Sequence, residues 1–404
     1  MRWRCDRVDR IPRAVWALGV VSLLMDLSSE IIHPLLPLFL TTTLGVSVAM
    51  VGLIDGIAEA TASITKVFSG YISDRIGRRK PLILAGYALG AASKPLFALA
   101  GSAPVVLGAR FADRIGKGLR GAPRDALVAD VTPEAIRGRA FGLRQSLDTV
   151  GAFAGPLAAI VLMAVFAGNM RPVFWIAVIP GIAAVLCVIF GVAEAETHDR
   201  PKPARIPLTL ADLKQLEPPF WRVVALGVIF TLARFSEAFL ILRATAAGLP
   251  IALAPAVLVV MNIVYALGAY PAGIASDRMP ARVLLGWSLM ALIAADLLLA
   301  LSPGLVGIFA GIAVWGLHMA LSQGLLAKLI ADHAPKTLRG SAFGLFNLVT
   351  GVMLLAASVI AGLLWDRYGP EATFLAGAGF AAIAAIMVGF GERRGPAVVA
   401  QPDC

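Results

Sequence analysis

Apolar runs of about twenty residues, separated by short polar breaks, recur along nearly the whole 404-residue chain, and nothing else constrains its fold as tightly. A run of that length matches the hydrocarbon thickness of a bilayer when it is helical, and in lipid a helix satisfies its own backbone hydrogen bonds. Reading between the breaks predicts spans near 14–40, 49–69, 82–101, 104–128, 140–166 and 172–193. Six more follow a connector, near 221–247, 252–274, 283–301, 304–330, 341–364 and 372–391. Twelve spans leave no room for a sizeable soluble domain, and a composition that is 59% hydrophobic and 15% charged excludes an ordinary soluble protein. The basic start MRWRCDRVDRIPR before the first run has the look of a secretory leader. The run is too long for one and carries Asp26 and Glu30, so it is predicted to be a first membrane span. Cys5, Cys187 and Cys404 are too scattered for a disulfide framework, and four dispersed histidines give no metal-ligand spacing, so no metal is expected.

The formal charge of +10 could suggest nucleic acid, but its placement reads as topology. Of the 35 lysines and arginines, 22 lie in the N-terminal tail, the connector, and the loops and tail on that side. The opposite loops hold two, Arg171 and Arg367. Both termini are therefore expected on the cytoplasmic side of a bacterial inner membrane, with no nucleic-acid partner. The connector turns polar and proline-rich, dividing the chain into a bundle at 1–193, a cytoplasmic connector at 194–220, and a second bundle with a short tail at 221–404. The two bundles are related. ADVTPEAIRGRAFGL at 129–143 matches ADHAPKTLRGSAFGL at 331–345 in nine of fifteen positions, 202 residues on. Parallel repeats of six spans are the signature of a carrier that rocks about a site near the midplane.

After span 2 the chain reads GYISDRIGRRKPLIL, and this segment resembles the signature loop of the major facilitator superfamily at Gly70, Asp74, Arg75, Gly77, Arg78, Arg79 and Lys80. The second-half copy, GIASDRMPARV, keeps Gly273, Asp277 and Arg278 but has Pro280 where the glycine would stand. RIGKGLRGAP in span 4 is similar to a motif of proton-linked drug exporters, with Arg114 as its arginine and Lys117 where glutamine is usual. In span 5, Gly142, Gly151, Gly155 and Pro156 fit an antiporter motif. The resemblance implies an all-α fold of twelve helices in two pseudo-symmetric six-helix bundles. It further implies a monomeric secondary transporter that takes a small-molecule substrate and protons, driven by the proton gradient and without a cofactor. The signature loop is implied to act as a latch, with Asp74 near the start of span 11 and Arg78 bridging to Asp130. The span 5 glycines and Pro156 are implied to pack helices rather than bind ligand.

Charges inside the spans sharpen the expectation. Each costs about 2.5 to 3.5 kcal/mol at the centre of a lipid-facing helix, so they must line water or pair with one another. Asp26, Glu30 and His33 share one face of span 1, and Asp55, Glu59 and Lys66 one face of span 2. On span 4, Arg110, Asp113, Arg114, Lys117, Arg120 and Arg124 form a basic stripe holding one carboxylate. One reading makes these charges structural ion pairs. The other makes Asp26, Glu30, Asp55, Glu59, Asp113, Asp148 or Glu237 a proton carrier, with Glu30 and Asp113 favoured. The duplicated pair Ser29-Glu30 and Ser236-Glu237 places a glutamate at similar depth in each half. Arg114, Lys117, Arg120, Arg144 and Arg234, with Trp315, His318 and Gln323 on span 10 as weaker polar groups, are the expected substrate contacts. The predicted function is proton-coupled export of small organic compounds or drugs. The alternative cargo is an anionic metabolite or metal-chelating compound held by the span 4 stripe. A non-transporting receptor or an intramembrane enzyme is the remote alternative. It lacks a catalytic constellation, and the lone GxGxxG at Gly116, Gly118 and Gly121 lies inside a span with no strand before it.

Overall fold

The computed structural model describes residues 11–76, 78–133, 136–194, 216–333 and 339–390. These residues are helical throughout, with no strand among them, and the expected all-α membrane architecture holds. The first six spans are Arg13–Ile32, Val48–Ile76, Lys80–Leu99, Ala103–Val131, Arg137–Val165 and Met170–Gly191. Span 7 is Pro218–Ala233 followed by Ala238–Ala246, and spans 8 to 12 are Ala256–Arg278, Ala281–Leu301, Leu305–His333, Arg339–Tyr368 and Pro370–Phe390. Span 4 alone is too charged to be read as a span by hydropathy, because its basic stripe runs the length of the helix.

Local chemistry sets many of the boundaries. Proline occupies the first turn of spans 3, 4 and 7, where a missing N–H is harmless. Four connections turn at glycines of positive φ: Gly45 at 65°, Gly168 at 82°, Gly248 at 97° and Gly369 at 90°. Two expected spans are not continuous. Span 1 stops at Ile32 rather than running to residue 40, and a short turn Leu36–Leu38 and a wide turn Phe39–Thr43 follow, since Pro34 and Pro37 cannot continue its hydrogen-bond ladder. Span 7 breaks between Ala233 and Ala238, although no glycine or proline stands there.

Packing repeats with the sequence. In the first half span 1 packs on spans 5 and 6, and spans 3 and 4 on each other, with span 4 also against span 2 and span 3 against span 6. Each pairing has its counterpart six spans on. The halves meet chiefly where span 2 lies along span 11, and more lightly where span 5 touches span 8. Glycine permits the first contact: a side-chain carbon at Gly52 would collide with the carbonyl of Ser358, and one at Gly362 would lie 2.5 Å from the Ala49 Cα.

The apolar cores show where the halves join. At the end away from the arginine-rich loops, a single core runs from Phe39 and Phe174 of the first half to Phe235, Trp315 and Phe374 of the second. At the arginine-rich end each half has its own core among the described residues, one around Tyr87 and Leu127, the other around Phe220 and Phe346. The bundle is thus closed at one end and parted at the other. Large apolar side chains such as Phe190, Leu267 and Val306 stand exposed on the outside, as a lipid-facing surface requires.

Candidate functional site

The basic stripe of span 4 is distributed among its neighbours rather than gathered into one clamp. Arg110 reaches Asp55 at 2.9 Å and Arg114 reaches Glu59 at 3.0 Å. Both pairs are spaced i, i+4 on parallel helices, so spans 2 and 4 are joined by two rungs of a ladder. On the other side of span 4, Asp113 accepts from Lys94 of span 3 at 2.7 Å, and the same ammonium donates to Ser29 of span 1 at 2.9 Å. Arg120 stacks over the Tyr87 ring at 4.7 Å. Arg124 donates to Ser22 at 2.7 Å and lies 3.6 Å from Asp148, which Arg144 approaches at 3.2 Å while it also meets Asp125 at 3.1 Å. Lys94, Asp55, Asp113, Arg110, Arg114, Arg120 and Arg144 are buried. Breaking one such pair would strand its partner in a medium of low polarity.

Four expected site residues have no side-chain ion pair or hydrogen bond among the described residues: Asp26 of span 1, Lys117 of span 4, and Arg234 and Glu237 at the break in span 7. Lys117 is exposed and the other three are half-buried. They share one electrostatic neighbourhood. Lys117 acts on Asp26, Glu30 and Glu59, and Glu237 from the second half is felt by Glu30, His33 and Glu59 of the first. Glu30 faces His33 at 3.4 Å, both partly exposed. The span 5 motif positions this face. Gly151 lets span 1 approach until a side-chain carbon would stand 2.5 Å from the Leu23 carbonyl, and Gly155 packs directly on Glu30. Pro156 is buried one residue further along.

Among the described residues, one polar bond joins the halves at mid-depth. The Ser236 hydroxyl donates to Asp55 at 2.5 Å, while its oxygen accepts from the Ala238 amide at 3.2 Å. Ser358 of span 11 accepts from the Ser236 amide at 3.3 Å. The break in span 7 is therefore held from both sides.

Span 10 lies differently from expectation. Trp315 and His318 are fully buried, with His318 Nδ1 2.9 Å from the Ser288 hydroxyl and its ring stacked on Phe230 at 5.7 Å. They belong to the packing of spans 7, 9 and 10. Gly77 lies outside the described residues, as do the side chains of Asp74, Arg75, Asp277 and Gln323 and the surroundings of Gly70 and Gly142. In the signature loop it is Arg79, not Arg78, that meets Asp130, at 3.3 Å. Arg78 is exposed, and Arg79 also donates to Ser73 at 2.6 Å.

Two carboxylates escaped the sequence reading. Glu194 accepts the backbone amides of Arg79 and Lys80, at 2.6 and 3.0 Å, capping span 3. Asp366, from span 11, accepts those of Val48 and Ala49 at 3.0 and 2.9 Å, capping span 2 across the gap between halves. Each is an acid at a span terminus, visible in the sequence. The helix N-terminus it faces is not visible there.

The family model described as Major Facilitator Superfamily matches residues 18–352 and 238–402. An uncharacterised MFS-type transporter of Methanocaldococcus jannaschii is 31% identical over 394 residues, covering 94% of this chain and 95% of that protein. A multidrug resistance protein, MdtH, of Aeromonas hydrophila is 32% identical over 152 residues, 38% of each chain. Among solved structures, the nucleoside transporter NupG superposes with a TM-score of 0.79 at 13% identity, over 95% of this chain and all of that one, a likeness of fold.

Proposed function

Since the chain belongs to the major facilitator superfamily, an integral membrane family of small-molecule transporters, we propose that it is a proton-coupled exporter working by alternating access. The observation that carries this reading is the convergence of acids from both halves on the space between them, which we read as a cavity reached from the parted end. Glu30 and Asp26 on span 1 and Glu237 on span 7 lie within electrostatic reach of the opposing charges, and among the described residues no lysine or arginine forms an ion pair with them. A carboxylate locked to a buried lysine or arginine is a poor proton carrier, which removes Asp55, Glu59, Asp113 and Asp148 from the front rank and leaves Glu30 with His33, Asp26 and Glu237.

Export, rather than uptake, is favoured by the span 4 and span 5 motifs and by the partial match to a multidrug resistance protein. The positive-inside arrangement would make the parted end cytoplasmic, where an exporter loads its substrate. Binding energy that differs between the two facings, altered by protonation, then drives the exchange.

Proteoliposomes carrying the purified protein and a pH-sensitive dye provide the test. Adding a transported solute should release protons down an imposed gradient, and Glu30→Gln should abolish that release while leaving solute binding measurable. Solute flux indifferent to the proton gradient would refute proton coupling.

A further inference from the structure

We propose that the cavity recognises an amphoteric solute, one carrying both an ammonium and a carboxylate-type anion, and that the break in span 7 supplies the second half's contacts to both. The inference rests on the transporter reading above and deepens it by naming the substrate class.

Several of the buried charges are already satisfied within the protein. Asp55, Glu59, Asp113 and Asp148 are each joined to a lysine or arginine. A solute cannot recruit these groups without stranding a buried partner. What remains at this level without a lysine, arginine or carboxylate paired to it, among the described residues, is Asp26 and Lys117 from the first half and Glu237 and Arg234 from the second, beside Glu30, which only His33 engages. An anion alone would meet these carboxylates as well as two bases, and a cation alone would meet the bases as well as the carboxylates. A solute with both signs can pair with the set and leave no charge of its own opposed to a like charge.

Span 7 adds an independent observation. Arg234 and Glu237 are three residues apart, and on an intact helix that spacing would let them pair with each other. The helix is not intact. Arg234 takes φ −119° and ψ 93°, the next helix begins only at Ala238, and among the described residues no ion pair or hydrogen bond joins the two side chains, although each feels the other's charge. Irregular backbone at membrane depth persists where it is held by protein and borders water. Here Asp55 and Ser358 hold Ser236 between the two charges. The break therefore keeps a cation and an anion apart and available at one level of the cavity. The guanidinium of Arg234 suits a carboxylate, which its fork can grip with two parallel bonds. Glu237 suits an ammonium.

Matched probes test this on the intact protein. Two sets share a scaffold and differ only in charge: phenylalanine, phenethylamine and 3-phenylpropanoate; and norfloxacin, its decarboxylated form and its N-acetyl form. Thermal stabilisation of the purified transporter should show the amphoteric member of at least one set binding about tenfold tighter than both singly charged relatives. That factor corresponds to about 1.4 kcal/mol. Arg234→Gln should erase the advantage over the cation and Glu237→Gln the advantage over the anion, while Arg234→Lys retains part of it. Equal or tighter binding of a singly charged relative, or no binding by either amphoteric probe, overturns the inference. Failure of the transporter reading would look different: charge-selective binding would persist while proteoliposomes showed no flux.

Discussion

Lys94 and Asp113 show why a charge inside the membrane becomes committed to structure. Both are buried and lie 2.7 Å apart between spans 3 and 4. The attraction offsets the desolvation of two ions, so the pair as a whole adds little net stability, but either ion alone is costly. Lys94→Met or Asp113→Leu alone should therefore destabilise the first half by about 3–5 kcal/mol. The double substitution should recover most of that loss. Thermal unfolding of the four proteins in detergent measures the cycle, and an additive double variant would show that the two residues are not coupled. Asp113 was a favoured proton carrier from sequence because it sits alone among cations. Its partner came from span 3, which the charge pattern of span 4 could not reveal.

Helix termini are where the elements of this fold are tied, and two similar caps do different work. Glu194 closes the N-terminus of span 3 from within its own half, whereas Asp366 closes that of span 2 from the other half. Removing a cap costs about 1 kcal/mol or somewhat more. For Glu194→Ala that cost should appear as lowered stability alone. For Asp366→Ala it should appear as a conformational shift, because the bond exists only while that end is shut. Spin labels placed across the closed end should report roughly fivefold more of the open distance in Asp366→Ala and no change in Glu194→Ala. The sequence made much of this level legible. Apolar run length located the spans, lysine and arginine placement gave their alternation, and the repeat at 129–143 and 331–345 gave the pseudo-symmetry. The break in span 7 was not legible, since LARFSEAF contains neither proline nor glycine and reads as ordinary helix. A hydrogen bond from Ser236 to Asp55, 181 residues away, holds it, and no local propensity encodes that. The face of span 10 was equally hidden. That helix is apolar nearly all round, so periodicity could not say that Trp315 and His318 turn inward to the packing.

For the whole molecule, the division of labour between halves sets how alternating access can proceed. The first half is cross-tied by ion pairs on spans 2 to 5, with hydrogen bonds from Lys94 and Arg124 to span 1, and is suited to move as a rigid body. The second half is held by aromatic packing around Phe235, Trp315 and Phe374, with the break in span 7 as its irregular element. Changing the facing requires the shared core at the closed end to part along spans 2 and 11, where backbone contacts backbone. Such an interface is tight in one state only, so a wedge placed there acts on the equilibrium. Gly52 touches the Ser358 carbonyl and the Phe239 ring, leaving no space for a side chain. Gly52→Leu should penalise the closed arrangement by about 1–3 kcal/mol through overpacking. The opposite facing, in which this contact opens, should carry no such penalty. Impermeant thiol reagents applied to right-side-out and inverted vesicles can read the outcome with single cysteines at each end. Labelling should rise at the end now closed and fall at the arginine-rich end, and flux should drop because the cycle stalls in one facing. Unaltered labelling at both ends would mean that spans 2 and 11 stay in contact throughout transport and that the hinge lies elsewhere.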